Sequence, residues 1–302
     1  MEHTNEEGNM ITSNKESQQI YSTIQLTESN DINTYSLLEE KEIYKFYHFP
    51  KYYDIAFRRC MKTDIEFFQK CFQQYSDINV KRILEPACGP GMLLEELTRY
   101  GYYTFGYDLS EAMVFYSAER LKKAGLLPEK SNVMVGDMKN IEFDTKFDGA
   151  IICINSLGYL TREEDIISHF KSMGKSLKKG GLYIIELSCK CDDLKNERKI
   201  DDIWYAKEGD IELKLSWVIN RYDVEHRIRY VDFQMFVNDN NKKWVVEEAH
   251  ELRLWLFDEF KNFVIIGGFK LLGIYNQKYE LISENIPITG ELGALFFILK
   301  KE

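Results

Sequence analysis

The stretch Ile83-Leu-Glu-Pro-Ala-Cys-Gly-Pro-Gly-Met-Leu-Leu94 decides the fold of this chain. It includes most of a strand predicted to begin at Val80, contains two glycines, and leads into an amphipathic pattern over 92–100. Glycine reaches positive φ and carries no Cβ, so a ligand can lie against the backbone of such a turn. The helix that follows offers free N–H groups and the positive end of its dipole. The stretch therefore predicts a strand, a turn and a helix, with ligand binding or a purely structural tight turn as the two interpretations of the glycines.

Short apolar runs alternate with amphipathic helices on either side of this turn. Strands are predicted at 80–86, 104–107, 133–136, 147–154 and 182–187, and helices at 92–100, 110–124 and 162–177, with Ser110 as the cap of the second helix. Because the strands are apolar on both faces, the pattern predicts a parallel sheet with helices on each side. Two further strands are expected near 271–275 and 295–299, which completes a doubly wound, mostly parallel α/β sheet.

This alternation is interrupted between residues 203 and 255. Apolar and polar residues alternate over 211–219, and extended segments follow at 224–237 and 244–254, separated by Asn238-Asp-Asn-Asn241. The pattern predicts an antiparallel β insertion of three strands. Helices are also expected at 38–47, at 62–75 and at 257–266, the last ended by Gly267-Gly268.

Most of the negative charge lies at the N-terminus. The net charge is −10, and residues 1–40 contribute −7 through eight acidic residues and one lysine, so residues 41–302 carry −3. Residues 1–40 are too polar to bury much apolar surface, which predicts a disordered acidic extension preceding one domain at 41–302. The acidic balance argues against a nucleic acid or an anionic membrane as the partner.

The composition predicts a cytoplasmic protein without metal. No apolar run approaches the roughly 18–20 residues that span a bilayer, and the N-terminus lacks the apolar core of a secretion signal. The six cysteines form no Cys-x-x-Cys pair. Reduced, mostly buried thiols are therefore expected.

Carboxylates follow the next two strands. Tyr107-Asp108-Leu109-Ser110 puts an acid at the tip of the second strand, where it can accept both hydroxyls of a ribose or merely cap the next helix. Gly136-Asp137-Met138 brings an acid and a thioether to the same edge, a pair that suits an adenine. Met113 is a candidate for the other face of that ring, or a core residue. Open α/β sheets bind ligands at this carboxyl edge.

A nicotinamide dinucleotide fits the turn poorly. The sequence motif that binds such a dinucleotide has a third glycine three residues after the second, where this chain has Leu94. Glu85, just before the turn, would repel a pyrophosphate. A ligand with an amino-acid end fits better.

This ordered series of motifs resembles that of the class I S-adenosylmethionine-dependent methyltransferases. The residues that carry the resemblance are Glu85, Ala87, Gly89 and Gly91 in the first motif, Asp108 as the ribose acid, Asp137 and Met138 as the adenine motif, Asn155 in the fourth-strand motif, and the run 177–186. The resemblance implies a Rossmann-like fold with seven strands, S-adenosylmethionine as the cofactor, and cofactor-binding roles for these residues with Leu109 and Met113. Ala87 stands where the family usually has glycine.

Within that superfamily the chain is most similar to small-molecule N- and O-methyltransferases, including those that dimethylate amino sugars. The similarity lies in Tyr53-Asp54-x-x-Phe57, in Ser156-Leu-Gly-Tyr-Leu160 and in the insertion at about 203–255. It implies that the insertion caps the acceptor, that Tyr53 lies near the sulfonium, and that Arg58 or Arg59 meets the methionyl carboxylate. His250, then Tyr159 and Arg253, are the candidates for a base or an acceptor ligand, with ordinary packing or solvent exposure as the alternative.

The sequence therefore predicts methyl transfer to an N or O atom of a small-molecule acceptor. Asn155-Ser-Leu-Gly-Tyr159 stands where adenine-N6 methyltransferases of nucleic acids have Asn/Asp-Pro-Pro-aromatic. The alternatives are a peptide or protein acceptor, a non-catalytic module that binds S-adenosylmethionine, and an oxidoreductase. Neither the acceptor nor the oligomeric state follows from the sequence.

The acidic extension is expected to take no part in the chemistry. Removing residues 1–36 should leave the rate of methyl transfer and the affinity for S-adenosylmethionine unchanged, because the motifs all lie beyond residue 45. The measurement compares the truncated and full-length chains by activity and by calorimetry. A large loss of cofactor affinity on truncation would instead identify the extension as a lid.

Overall fold

The computed structural model describes residues 46–190, 200–283, 285–289 and 292–302. The predicted extension at 1–40 lies outside the described residues. So does the helix predicted at 38–47, except for Phe46 and Tyr47, which belong to a 3₁₀ turn, Phe46–His48.

The described chain contains thirteen strands and six α-helices. The strands are β1 (Arg82–Pro86), β2 (Tyr103–Asp108), β3 (Ser131–Val135), β4 (Phe147–Ile152), β5 (Leu177–Leu187), β6 (Cys189–Lys190), β7 (Ile200–Glu208), β8 (Ile211–Asp223), β9 (Ile228–Asp239), β10 (Lys242–Arg253), β11 (Trp255–Leu256), β12 (Phe269–Tyr275) and β13 (Leu295–Lys301). The helices are α1 (Pro50–Phe57), α2 (Lys62–Tyr75), α3 (Met92–Arg99), α4 (Glu111–Lys123), α5 (Glu163–Ser176) and α6 (Phe257–Ile266), and a second 3₁₀ turn is Ser156–Tyr159.

A seven-stranded sheet in the order β12-β13-β5-β4-β1-β2-β3 forms the centre of the fold. Strands β1 to β5 run parallel, and β13 is antiparallel to both β5 and β12. Successive side chains of β5 enter different cores: Tyr183 and Ile185 pack with α5 and α6, whereas Ile184 packs with α2 and α3. The doubly wound, mostly parallel seven-stranded sheet expected from the sequence is confirmed.

The insertion forms a separate four-stranded antiparallel sheet in the order β10-β9-β8-β7. One of its faces packs against residues 46–57, called here the linking segment. The shared core contains aromatic and aliphatic side chains from both partners: Phe46, Phe49, Tyr52, Ile55, Leu213, Leu215, Phe233, Met235 and Val237. The linking segment therefore joins the insertion to the rest of the domain.

Several predicted boundaries differ from the structure. The insertion has four strands rather than three, because β7 pairs with β8 although its acidic residues obscure the alternation. Strand β9 begins at Ile228 rather than 224, since residues 224–227 turn around Asp223, whose carboxylate accepts the His226 N–H at 3.0 Å. Strand β5 begins at Leu177 rather than 182, because Leu177 is fully buried beside Phe147. Helix α1 was not predicted.

None of the described helices is long and apolar enough to cross a membrane. In the same described residues, no three His, Cys, Asp or Glu side chains are grouped to hold a metal ion. The described cysteines are free thiols: Cys60, Cys71, Cys88, Cys153 and Cys189.

Asp148 on β4 holds the backbone at the start of β1 in place. Its Oδ2 accepts the backbone N–H groups of Lys81 at 3.0 Å and Arg82 at 2.8 Å, and Lys178 Nζ donates to its Oδ1 at 2.7 Å. Burial alone would raise the pKa of Asp148, but the Lys178 ammonium and the two N–H groups lower it below its ordinary value. The ionised carboxylate is therefore part of the folded state.

Asp148→Asn is expected to lower the free energy of unfolding at neutral pH by about 1 kcal/mol, a value reduced by solvent around the half-exposed Lys178. The lowered pKa means that wild-type stabilisation is complete above the unfolded pKa, about 3.9, and is lost as the pH falls through the folded value. Thermal unfolding should thus show a difference in melting temperature that disappears toward acid pH. Glu142→Gln, which removes an exposed pair with Lys175, should change little.

Candidate active site

The carboxyl ends of β1, β2 and β4 open into a cavity of about 1210 Å³. Three parts of the chain enclose it: the turns that follow these strands, the linking segment, and side chains of the antiparallel sheet. The cavity therefore has one end at the strand tips and another against the insertion.

The turn after β1 adopts left-handed backbone at three positions. The φ angles are 51° at Ala87, 52° at Gly89 and 76° at Gly91. A Cβ on Gly91 would lie 2.1 Å from Ser117 Oγ, so this glycine allows α3 to pack on α4 and does not line the cavity. A Cβ on Gly89 would meet no atom within 4 Å and would occupy the cavity itself. Gly89 thus keeps space for a ligand beside the backbone.

Asp108 at the tip of β2 is held by backbone donors. Its Oδ2 accepts the Gly89 N–H at 2.8 Å, and its Oδ1 accepts the Ser110 N–H at 2.9 Å. Burial raises the pKa of Asp108, and these N–H groups act in the opposite direction. Leu109, highly exposed, lies beside it on the cavity wall. The carboxylate is fixed in position and still lines the cavity.

Glu85 at the end of β1 has an unsatisfied oxygen. The residue is 7% exposed and lines the cavity, and its Oε2 has no hydrogen-bond partner in the described part of the chain. Burial and the nearby Asp108 carboxylate raise the pKa of Glu85 well above its ordinary value, although the Leu94 N–H opposes this. A ligand carrying an ammonium group would satisfy this oxygen, as an amino-acid end would.

Asp137 and Met138 line the cavity beside the end of β3. Asp137 Oδ1 accepts the Lys139 N–H at 2.9 Å, and Lys139 Nζ lies 3.2 Å from Oδ2. The Met138 carbonyl is 2.8 Å from Nδ1 of the buried His169. Asn155, with φ of 55°, also lines the cavity and accepts the Ser188 N–H on its Oδ1 at 3.0 Å.

Four of the predicted site residues lie outside the cavity: Gly91, described above, and Met113, Arg58 and Arg253. Met113 is fully buried in the interior. Arg58 turns to the buried Asp54, at 2.6 Å, and to Glu208 of β7, because these carboxylates attract its guanidinium. Arg253 stacks on Trp255 and donates to the Thr161 carbonyl at 3.0 Å, since strand alternation directs it away from the face of His250.

Arg59 lines the cavity, unlike Arg58. Its two terminal nitrogens bind Asp64 at 2.9 Å each. Tyr53 of α1 also lines the cavity, and burial together with Tyr159, Asp108 and Glu85 raises the pKa of its hydroxyl. Of the two arginines considered from the sequence, only Arg59 is placed to meet a ligand.

The other end of the cavity has aromatic walls. Tyr159 Oη lies 2.6 Å from Tyr47 Oη and 3.4 Å from His250 Nδ1. The indole of Trp217 stacks on the His250 imidazole with the rings 18° from parallel. Burial lowers the pKa of His250 to about 4 and raises that of Tyr159 to about 12, so both side chains are neutral at physiological pH.

Sequence reasoning missed Tyr47 and Trp217. Tyr47 belonged to a segment read as an ordinary helix, and Trp217 to a strand whose inward face was unknown. The alternation over 211–219 was the available signal for Trp217, since it places this residue on one face with Leu215 and Ile219, both of which are buried.

Comparisons with known proteins show similarity to methyltransferases. The sequence family described as a methyltransferase domain matches residues 83–181. A putative methyltransferase of Geobacillus sp. (strain WCH70) is 26% identical over 78% of this chain and 90% of its own length. The dTDP-3-amino-3,4,6-trideoxy-alpha-D-glucopyranose N,N-dimethyltransferase of Streptomyces venezuelae is 32% identical over 34% of this chain and 41% of its own length. The crystal structure of an S-adenosylmethionine-dependent methyltransferase from Clostridium acetobutylicum shares the fold with a TM-score of 0.68 and 20% identity, over 84% of this chain and 97% of that one.

Gly89→Ala is expected to weaken S-adenosylmethionine binding about tenfold or more, because the added methyl group occupies the cavity. Gly209→Ala is the matched control: Gly209 lies between β7 and β8 with φ of 57°, and its Cβ would also meet nothing. Both variants carry a similar backbone strain, about 1–2 kcal/mol. Calorimetry with S-adenosylmethionine and its demethylated product should show a lower affinity for Gly89→Ala than for Gly209→Ala. Equal affinities of the two variants would contradict a ligand beside Gly89.

Proposed function

We propose that this chain, a methyltransferase by its match to the methyltransferase domain at residues 83–181, is a class I S-adenosylmethionine-dependent enzyme that methylates an N or O atom of a small-molecule acceptor by in-line displacement. The observation that carries the proposal is the continuous cavity from the strand-tip acids to the aromatic wall. Its volume, about 1210 Å³, exceeds the roughly 300–1,000 Å³ of ordinary ligand pockets. It is large enough for a cofactor and a compact acceptor side by side.

The strand-tip end offers a partner for each part of the cofactor. S-Adenosylmethionine supplies a methyl group activated by its attachment to a sulfonium sulfur. Asp108 is suited to the ribose hydroxyls, Asp137 and Met138 to the adenine, and the unsatisfied Glu85 oxygen to the ammonium. Arg59, already paired with Asp64, is the candidate for the carboxylate.

The aromatic end orients the acceptor. Tyr47, Tyr53, Tyr159, Trp217 and His250 line it and exclude water from the reacting atoms. Holding two reactants in line can supply up to roughly 7–11 kcal/mol of a reaction barrier. Positioning by rigid aromatic side chains is therefore the main contribution that we assign to the chain.

The properties of His250 favour nitrogen over oxygen as the methylated atom. An hydroxyl or an ammonium must lose a proton to react, and a base works best when its pKa is near the working pH. The pKa of His250, about 4, makes its imidazole a weak base. A neutral amine needs no base, and the similarity to a sugar N,N-dimethyltransferase over a third of the chain supports an amine acceptor.

A peptide or protein acceptor and a non-catalytic binding module are the alternatives. The linking segment and the antiparallel sheet share one core beside the cavity, an arrangement that favours a compact acceptor over an extended chain. The glycine turn, Asp108 and Asp137 are all present, which favours an enzyme over a module that has lost its ligand.

Incubating the protein with a cell extract and methyl-labelled S-adenosylmethionine should yield labelled small molecules, each heavier by one methylene unit per transfer. Mass spectrometry then identifies the acceptor and the methylated atom. Asp108→Ala should abolish the labelling, because it removes the carboxylate that is proposed to bind the ribose hydroxyls of the cofactor. Asp258→Ala, which changes an 87% exposed side chain, should not.

Two results would overturn the proposal in different ways. Label found only in the protein fraction would indicate a peptide or protein acceptor. Tight binding of S-adenosylmethionine without any labelled product would indicate a non-catalytic module.

A further inference from the structure

His250 lines the aromatic end of the cavity, and its side chain has an unsatisfied polar atom. The residue is 5% exposed, and its Nε2 has no hydrogen-bond partner among the residues that the structure describes. Buried polar atoms are nearly always paired, so an isolated one beside a cavity indicates a ligand atom. What that atom must be depends on whether Nε2 carries a proton.

The hydrogen bonds around Nδ1 determine whether Nε2 carries the proton of the imidazole. Tyr47 Oη, Tyr159 Oη and His250 Nδ1 form a chain with separations of 2.6 and 3.4 Å, and it can run in two directions. If Tyr47 donates to Tyr159 and Tyr159 donates to Nδ1, the proton of His250 is on Nε2. In the reverse direction Nδ1 is the donor and Nε2 carries a lone pair.

The first direction leaves fewer groups unsatisfied. In the first direction, Nε2–H is the only donor among the Tyr47 hydroxyl, the Tyr159 hydroxyl and the His250 imidazole that lacks a partner within the described residues. In the reverse direction both the Tyr47 hydroxyl proton and the Nε2 lone pair lack one, since Tyr159 is the sole partner of the Tyr47 hydroxyl within the described residues. An imidazole nitrogen also accepts a phenolic proton better than another phenol does.

The charge beside Nε2 favours the same tautomer. Glu248 Oε2, which accepts the Phe46 N–H at 2.5 Å, lies 4.0 Å from Nε2. That distance is too long for a hydrogen bond, but a carboxylate there attracts an N–H and repels a lone pair. Trp217, stacked on the ring, fixes its plane so that Nε2 keeps its direction.

We infer that His250 is held with its proton on Nε2 and donates a hydrogen bond to an oxygen of the acceptor, so that it binds the acceptor and is not a base. The inference rests on the proposed function. An amine nitrogen that attacks the methyl group has a single lone pair, which must stay free, so the atom bonded to His250 is a second one. The acceptor class is therefore a molecule with an hydroxyl, ether or carbonyl oxygen near the methylated atom. Tyr159 and Tyr47 are positioning residues that set the tautomer.

The tautomer can be measured without an acceptor. Long-range proton–nitrogen correlation spectra of the protein labelled with ¹⁵N-histidine distinguish the two tautomers, and His250→Gln identifies the His250 signals among the five histidines. Wild type should show the Nε2–H form across neutral pH. Tyr159→Phe, which removes the donor to Nδ1, should shift the signals toward a tautomer mixture. An Nδ1–H form in wild type, or no change in Tyr159→Phe, overturns the inference.

Activity distinguishes a donor from a base. The amide nitrogen of glutamine can take the place of Nε2–H but cannot accept a proton as imidazole does. The small-molecule fraction of the extract serves as the acceptor source, and the measured quantity is the amount of it that gives half the maximal rate. This amount should stay within a few-fold of wild type in His250→Gln and should rise roughly tenfold or more in His250→Ala. The calorimetric affinity for S-adenosylmethionine should change little in either, and the maximal rate should fall less in His250→Gln than in His250→Ala.

An equal loss of maximal rate in both variants would identify His250 as a base and overturn the inference. Failure of the proposed function has a different signature: wild type binds S-adenosylmethionine but transfers no label. The spectra report the tautomer in either case, so the two failures are separable.

Discussion

The Asp108 carboxylate is the interaction on which the site depends. One of its oxygens accepts the Gly89 N–H and the other accepts the Ser110 N–H, so a single side chain joins the turn after β1 to the start of α4. These donors also oppose the effect of burial on its pKa. Because Gly89 keeps the adjacent space free of a side chain, the same contact fixes the backbone and leaves the carboxylate facing the cavity. The same carboxylate thus fixes the turn and lines the cavity.

The parts of the fold that could be predicted from the sequence are those in which apolar residues recur with a clear helical or strand pattern. Buried strands such as β4 and β5 read as apolar runs, and parallel strands bring their carboxyl ends together, so Glu85, Asp108 and Asp137 converge as predicted. Ser110 likewise caps α4, as its position before the apolar pattern indicated. Periodicity and strand direction are sufficient for these features because neither depends on a distant partner.

The remaining features depend on distant partners. Arg58 and Arg59 are adjacent, and what separates them is the buried carboxylate that each one meets, Asp54 or Asp64. The apolar residues of strand β7 do not alternate with polar ones, and the strand is recognisable only from its pairing with β8. The wall formed by Tyr47 and Trp217 requires that two segments far apart in the chain meet over the cavity. No single window of sequence contains that information.

The linking segment determines how the two ends of the cavity face each other. It carries Tyr53 near the strand-tip acids and Tyr47 in the hydrogen-bonded chain to His250. Toward α4 it is held by Asp54, which is 1% exposed and paired with Arg120, and removing one partner of such a buried pair typically costs about 3–5 kcal/mol. Toward the antiparallel sheet it is held by the shared apolar core, by the Phe46 N–H bonded to Glu248, and by the half-exposed Lys51 with Asp239. The linking segment is therefore fixed near the strand-tip end of the cavity by a buried ion pair, and at the aromatic end by apolar packing and this hydrogen bond.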